Sequence, residues 1–147
     1  MNLANNISAI RISNAAAAAT TDITSSAVDM QGFEGCIFIV TMGAITSGAV
    51  TSVKLQQSSD DGGSDAYADL EETSVTVADD DDNQVVIVDI KFPRERYLKC
   101  IVDRGTQNAV VDGIVALRYG SREQPATNDS STVVSREVHC SPAEGTA

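Results

Sequence analysis

Few residues in this 147-residue chain are able to do chemistry: one histidine (His139), three cysteines (Cys36, Cys100 and Cys140) and two aspartate-rich runs. Nucleophilic catalysis needs a base held within hydrogen-bond reach of the attacking group. His139 stands in the Ser-, Thr- and Pro-rich stretch after Ser121, and its neighbour Cys140 points the opposite way on an extended chain. A structural zinc site needs about four Cys or His ligands at short spacings. The chain has four such residues in all and no Cys-x-x-Cys pair. Calcium takes hard oxygen ligands clustered on a loop. Asp60, Asp61 and Asp65 around Gly62-Gly63 are the weak candidate set, with Asp69 and Asp79 to Asp82 following. Their order lacks the Asp-x-Asp-x-Asp-Gly arrangement, so the run is read as a hydrated acidic turn. No glycine-rich phosphate loop is present. Carboxylates in Ser/Gly/Asp loops are solvated and are not raised in pKa by burial. The expectation is a protein that is not an enzyme and holds neither a metal nor a cofactor.

Charge carries more information. The net charge is −11, from 21 acidic and 10 basic residues. A field of that sign repels nucleic acid and anionic lipid, so neither is expected as a partner. The charges are also segregated. Between Leu55 and Ile90 no Lys or Arg occurs, whereas Asp60, Asp61, Asp65, Asp69, Glu71, Glu72, Asp79 to Asp82 and Asp89 all fall there. Lys91, Arg94, Arg96, Lys99 and Arg104 follow within fourteen residues, half of the chain's basic residues. These five are the candidate contact residues, with Arg94 and Arg96 suited to two-pronged bonds to carboxylates. Basic groups of one copy meeting acidic groups of another is the docking mode this pattern suggests.

The elements that would present these groups have the period of strands. Gly35–Met42 is a short, apolar, β-branched run bounded by glycines, the pattern of a strand buried on both faces. Val50–Gln57 alternates, with Val53, Leu55 and Gln57 on one face and Lys54 and Gln56 on the other. Ser58–Asp65 is a loop of turn formers. Short strands are expected near Tyr67–Leu70 and Thr73–Val77, then an acidic turn at Asp79–Asn83 and a strong strand at Gln84–Ile90 that Pro93 ends. Tyr97–Asp103 should place Leu98, Cys100 and Val102 on one face, opposite Tyr97, Lys99 and Ile101. Ala109–Tyr119 closes the set, with Gly113 as a bulge or bend, and Ile7–Ile12 is a further strand. Ala15–Ala19 is too short to nucleate a helix and is read as at most a single turn.

About eight strands at this spacing define an all-β fold, a two-sheet β-sandwich of jelly-roll type. The expected organisation is an N-terminal arm or edge strand over 1–20, the sandwich over 21–120 and a polar C-terminal tail over 121–147, with both arms extended. The sparse, odd cysteine set suits a reducing cytoplasm and no disulfide framework. No secretory leader is read in residues 1–20. The apolar runs fall far short of the ~20 residues a membrane-spanning helix needs.

The stretch Lys54-Leu-Gln-Gln-Ser-Ser-Asp-Asp-Gly-Gly-Ser-Asp-Ala-Tyr-Ala-Asp-Leu70 resembles small structural proteins of tailed bacteriophages. There a strand ending in Gln and Ser leads into an Asp-Asp-Gly turn, an aromatic and Asp-Leu. Pro93-Arg-Glu-Arg-Tyr-Leu-Lys-Cys100 is similar to their returning strand. Over residues 30–120 the plan resembles the capsid decoration (cement, head-stabilising) proteins. The resemblance implies a structural virion protein, made in the host cytoplasm, that sits on the capsid exterior as a homotrimer. It would bind the major capsid protein and reinforce the joints between capsomers. No capsid-binding residue matches individually. The alternative is a carbohydrate- or receptor-binding sandwich, which the absence of Trp and a 4% aromatic content disfavour.

Overall fold

A computed structural model of the chain describes residues 2–141 and 143–146. Met1, Pro142 and Ala147, which belong to the expected N-terminal arm and C-terminal tail, lie outside the described residues. A four-residue helix, α1 (Leu3–Asn6), precedes eleven strands: β1 (Ile7–Ser13), β2 (Ala16–Ala19), β3 (Ile23–Thr24), β4 (Val28–Asp29), β5 (Gly35–Ile45), β6 (Thr51–Ser58), β7 (Ala68–Asp69), β8 (Val75–Val77), β9 (Val85–Lys91), β10 (Tyr97–Asp103) and β11 (Ala109–Tyr119). They form two antiparallel sheets. The first runs β1-β11-β5-β9, with β2 also on β11. The second runs β3-β10-β6-β7, with β4 on β10 and β8 on β6. The architecture is the expected β-sandwich.

Alternation sets the core. Cys36, Phe38, Val40 and Met42 of β5 point inward and are buried. Facing them from the other sheet are Val53 and Leu55 of β6 and Leu98, Cys100 and Val102 of β10, all fully buried. The odd-numbered side chains of β5, Ile37, Ile39 and Thr41, are only half-buried. Burial of this strand on both faces is therefore not realised: no element among the described residues covers the outer face of the first sheet.

β11 shows how register is corrected inside a strand. Val111 points inward, and so do Ile114 and Ala116, which have the opposite parity. An extra residue at Asp112–Gly113 makes both possible, with a register shift against β5. Gly113 takes φ +148, where a side chain is strained, so the bulge expected there needs glycine. Gly35 answers a different demand. The Tyr119 ring lies over it, and a Cβ would collide with that ring. Through this gap the Tyr119 hydroxyl crosses β5 and donates to Asp89 on β9 at 2.8 Å.

One departure from expectation has a clear cause. Alanine has the highest helix propensity, yet Ala16–Ala19 is a strand, because pairing with β11 at Ala109 and Val111 overrides propensity. The tail after Ser121 is an extended arm whose first part is pinned along the outer edge of β1. The Ala9 N–H donates to Asn128 Oδ1 at 2.9 Å, the Arg11 N–H to Thr132 Oγ1 at 3.3 Å and the Ala126 N–H to the Asn5 carbonyl at 2.9 Å.

Phe38 is the largest fully buried side chain and sits at the middle of β5. Phe38→Ala should lower unfolding free energy by about 3–5 kcal/mol in urea titration, through lost transfer energy and a cavity. Val134→Ala, at a fully exposed tail position, should be neutral within about 0.5 kcal/mol.

Candidate docking surface

The strands share one axis, so the turns gather at two ends. One end carries the turn at residues 46–50, the acidic turn Asp79–Asp82 and the turn at 104–108. The other carries residues 30–34, the Asp60 loop, the turn between β9 and β10, and the exit from β11. The five basic candidates, adjacent in sequence, meet different fates there.

Arg104 is the correction. It is 4% exposed and is not a surface contact residue. Its Nε donates to the Thr21 carbonyl at 2.6 Å, and Nη1 donates to the carbonyls of Ala17 and Ala109 at 2.7 and 3.0 Å. A planar five-donor guanidinium can tie three backbone segments at once, which a lysine ammonium does less well. Arg104 holds β2 and the segment after it against β11.

Arg96 lies at the surface but is committed. Its Nε and Nη2 clasp both carboxylate oxygens of Asp29 at 2.8 and 2.6 Å. That hydrogen-bonded guanidinium holds the Asp29 carboxyl below its ordinary value. Lys99 is turned toward the neighbouring loop, 3.9 Å above the Tyr67 ring and 3.7 Å from Asp61. Lys91 and Arg94 remain exposed on the β9–β10 turn, and neither makes an ion pair among the described residues. Lys91 Nζ stands 5.0 Å from the ring centre of Phe92, which is 62% exposed.

Beside them opens a groove of about 610 Å³ lined by Phe33, Phe92, Pro93, Arg94, Arg96 and Arg122, among others. A second hollow of about 540 Å³ shares Gln31, Gly32, Phe33 and Arg122 with it and reaches Arg118. Arg118 stacks on Phe33 at 4.2 Å and donates to the Asp29 carbonyl and to Ser8 Oγ. Its buried Nε has no hydrogen-bond partner among the described residues. The chain's five-residue basic run thus reduces to two free cations, and the fold adds Arg118 and Arg122 from the end of β11. Arg94, Arg96 and Arg122 share the groove's lining with Glu34 and Glu95, beside the exposed Phe92 and the half-buried Phe33. The arginines offer charge-assisted bonds to carboxylates, and Phe92 offers apolar contact.

Sequence reading missed Phe33, Phe92, Arg118 and Arg122. Two of the chain's three phenylalanines standing in turns, next to glycine, proline or lysine, were the available signal. What brings Arg118 and Arg122 to them is long-range pairing of β11 with β5, which no local spacing reveals.

The remaining candidates are structural. Asp60 accepts from the backbone N–H groups of Gly63, Ser64 and Asp65 at 3.0, 2.6 and 3.1 Å. Asp65 accepts from Ser59 N–H at 2.8 Å, and Asp61 from the Tyr67 hydroxyl at 2.6 Å. The three calcium candidates are therefore turned toward donors of their own loop. No group of three or more His, Cys, Asp or Glu side chains among the described residues is placed to hold a metal ion. Cys36 and Cys100 are buried, and desolvation pushes both thiols up to about 12. Among the described residues, His139 has Glu137, two residues away on the exposed tail, as its hydrogen-bond partner. The tyrosine rings are engaged: Tyr67 under Lys99, Tyr97 under Arg96 at 5.0 Å, and Tyr119 across Gly35. No helix among the described residues is long and apolar enough to cross a membrane.

No protein-family model matches the sequence, and no curated protein matches it. Among solved structures, the chain is similar to one of Bacillus endospore appendages, described as disulfide-linked pili. The identity is 16% and the TM-score 0.45, over 78% of this chain and 88% of that one. A second likeness is to a structure of infectious bursal disease virus, Gx strain. It has 11% identity and a TM-score of 0.33, over 83% of this chain and 32% of the viral chain.

The ionisable groups define a pH window. Asp29, Asp60, Asp69 and Asp129 all titrate below their ordinary 3.8 in the folded chain, held there first by Arg96, the Ser64 N–H, Lys54 and Ser131 respectively. Their contribution is present above 3.8 and is lost as pH falls through the lower folded values. The two buried thiols act at the other limit. Their contribution is complete below 9.0 and is lost as pH rises toward about 12, because only the unfolded chain can ionise them. Urea midpoints should be flat between these limits and fall on both sides. A midpoint still rising above pH 9 would contradict the buried-thiol assignment.

Proposed function

We propose that the chain is a non-catalytic structural protein that docks on the exterior of an assembled phage capsid, like the decoration proteins its sequence resembles. In this reading the sandwich, with the strand order of a jelly roll, is a preformed slab that presents turns to neighbouring capsomers. The observation that carries the proposal is the groove at Phe33, Phe92, Arg94 and Arg122. In a chain of net charge −11, Arg94 and Arg122, without an ion pair among the described residues, stand there beside the exposed Phe92 ring and the half-buried Phe33. Buried aromatic and Arg anchors dominate the energy of protein interfaces, and a basic groove selects a carboxylate-bearing partner. The polar arms supply additional contacts, and many copies on one shell make individually weak contacts collectively strong. The partner in this account is the major capsid protein at the joints between capsomers.

Co-sedimentation with purified undecorated capsids tests the proposal. Wild-type protein should pellet with the shells. Arg94→Glu combined with Arg122→Glu should weaken binding by on the order of 100-fold, the effect of removing interfacial charges that are desolvated on binding. Absence of co-sedimentation with protein in large excess, or equal binding by the double variant, would overturn it.

A further inference from the structure

Edge strands expose unpaired backbone groups, and proteins blunt them by covering, shortening or charging them. Three of the four sheet edges are managed here. The tail covers β1 through Asn128 and Thr132. The second sheet ends in strands of only two or three residues: β3 and β4 on one side, β7 and β8 on the other. β9 is different. It has seven residues, Val-Val-Ile-Val-Asp-Ile-Lys, and among the described residues pairs on one side only.

The direction of its free groups can be read from the ladder. Met42 N–H donates to the Gln84 carbonyl, and Phe92 N–H to the Glu34 carbonyl. In an antiparallel pair such bonded positions recur at every second residue. Val86, Val88 and Ile90 therefore bond to β5, and Val85, Ile87, Asp89 and Lys91 aim their N–H and C=O groups out of the sheet. Val85 and Ile87 are 52% and 64% exposed. Across the ladder they continue into the half-buried Thr41 and Ile39 on the uncovered outer face.

Charge indicates what covers this edge. β9 begins beside the acidic turn Asp79–Asp82 and ends at Lys91 and the basic turn with Arg94. A second copy laid antiparallel about a two-fold axis at Val88 sets Lys91 opposite Val85 of the other strand. It also lays each basic turn alongside the other copy's acidic turn, twice over. Parallel addition would place acid against acid. The four outward residues of each strand then bond one another in pairs, two hydrogen bonds per pair. We propose that β9 is the two-fold interface of a homodimer in which the two five-stranded sheets join into one. This goes beyond the capsid-docking reading and rests on the β9 edge, sharing with the docking groove the turn that carries Arg94.

Sedimentation equilibrium at physiological salt tests it. The wild-type mass should be twice the 15.4 kDa of the chain. Ile87→Pro removes an outward N–H without touching the bonds to β5, and edge strands tolerate proline. Ile87→Asp sets a carboxylate opposite Asp89 of the other copy, a like-charge pair on the same edge. Both should sediment as monomers with an unchanged circular dichroism spectrum and should still bind capsids, so failure here is distinguishable from failure of the docking reading. Lys91→Glu should weaken the dimer about 10-fold or more, and adding Asp80→Lys to it should recover most of the loss. A monomeric wild type at about 100 μM, a threefold mass, or a dimer that survives both Ile87 variants would overturn the proposal.

Discussion

The structure depends on one packing constraint: the inward side chains of two sheets must interlock across a single apolar layer. Phe38, Val40 and Met42 from β5 meet Val53, Leu55, Leu98 and Val102 from the facing sheet, and all are buried. Because strand side chains alternate, a slip of one residue would turn this set to solvent. The constraint is strict enough that β11 inserts an extra residue at Gly113 to keep Val111 and Ile114 both inside. Everything on the surface is placed by that register. The turn carrying Lys91 and Arg94 lies next to Phe33 because β5 pairs simultaneously with β9 and β11.

Polar groups near the core are used for fastening. Arg104 ties three backbone segments. Ser25 exchanges bonds with Cys100, its hydroxyl accepting from the Cys100 N–H and its own N–H donating to the Cys100 carbonyl. Asp60 closes its loop on three N–H groups. Beside these, the described surface offers a partner a few cations, the exposed Phe92 ring, the acidic turn Asp79–Asp82 and the backbone of one open strand.

Much of the fold was legible because the local signals were strong. Tyr97–Asp103 and Ala109–Tyr119 are strands with the bounds their alternation predicts, and the Asp/Gly runs are turns. β3 and β4 escaped notice because two-residue strands have no period; their pairing with β10 creates them. β2 was hidden by alanine, whose local preference is helical. The outer face of β5 was misjudged since an unbroken apolar run reads as doubly buried, and only topology shows that no layer lies beyond it. The docking surface was half-visible. The run of basic residues pointed to the correct turn. Arg104 and Arg96 could be told from Arg94 only by long-range partners at Ala17, Thr21 and Asp29.

The account predicts a rigid, preformed slab that meets its partner through one end. Amide hydrogen exchange, measured on the free protein and on capsids saturated with it, tests this most directly. β5, β10 and β11 should already be protected in the free chain, and new protection should appear at residues 30–34 and 91–97. Core strands that exchange freely before binding, or new protection confined to the acidic end at 79–83, would contradict it.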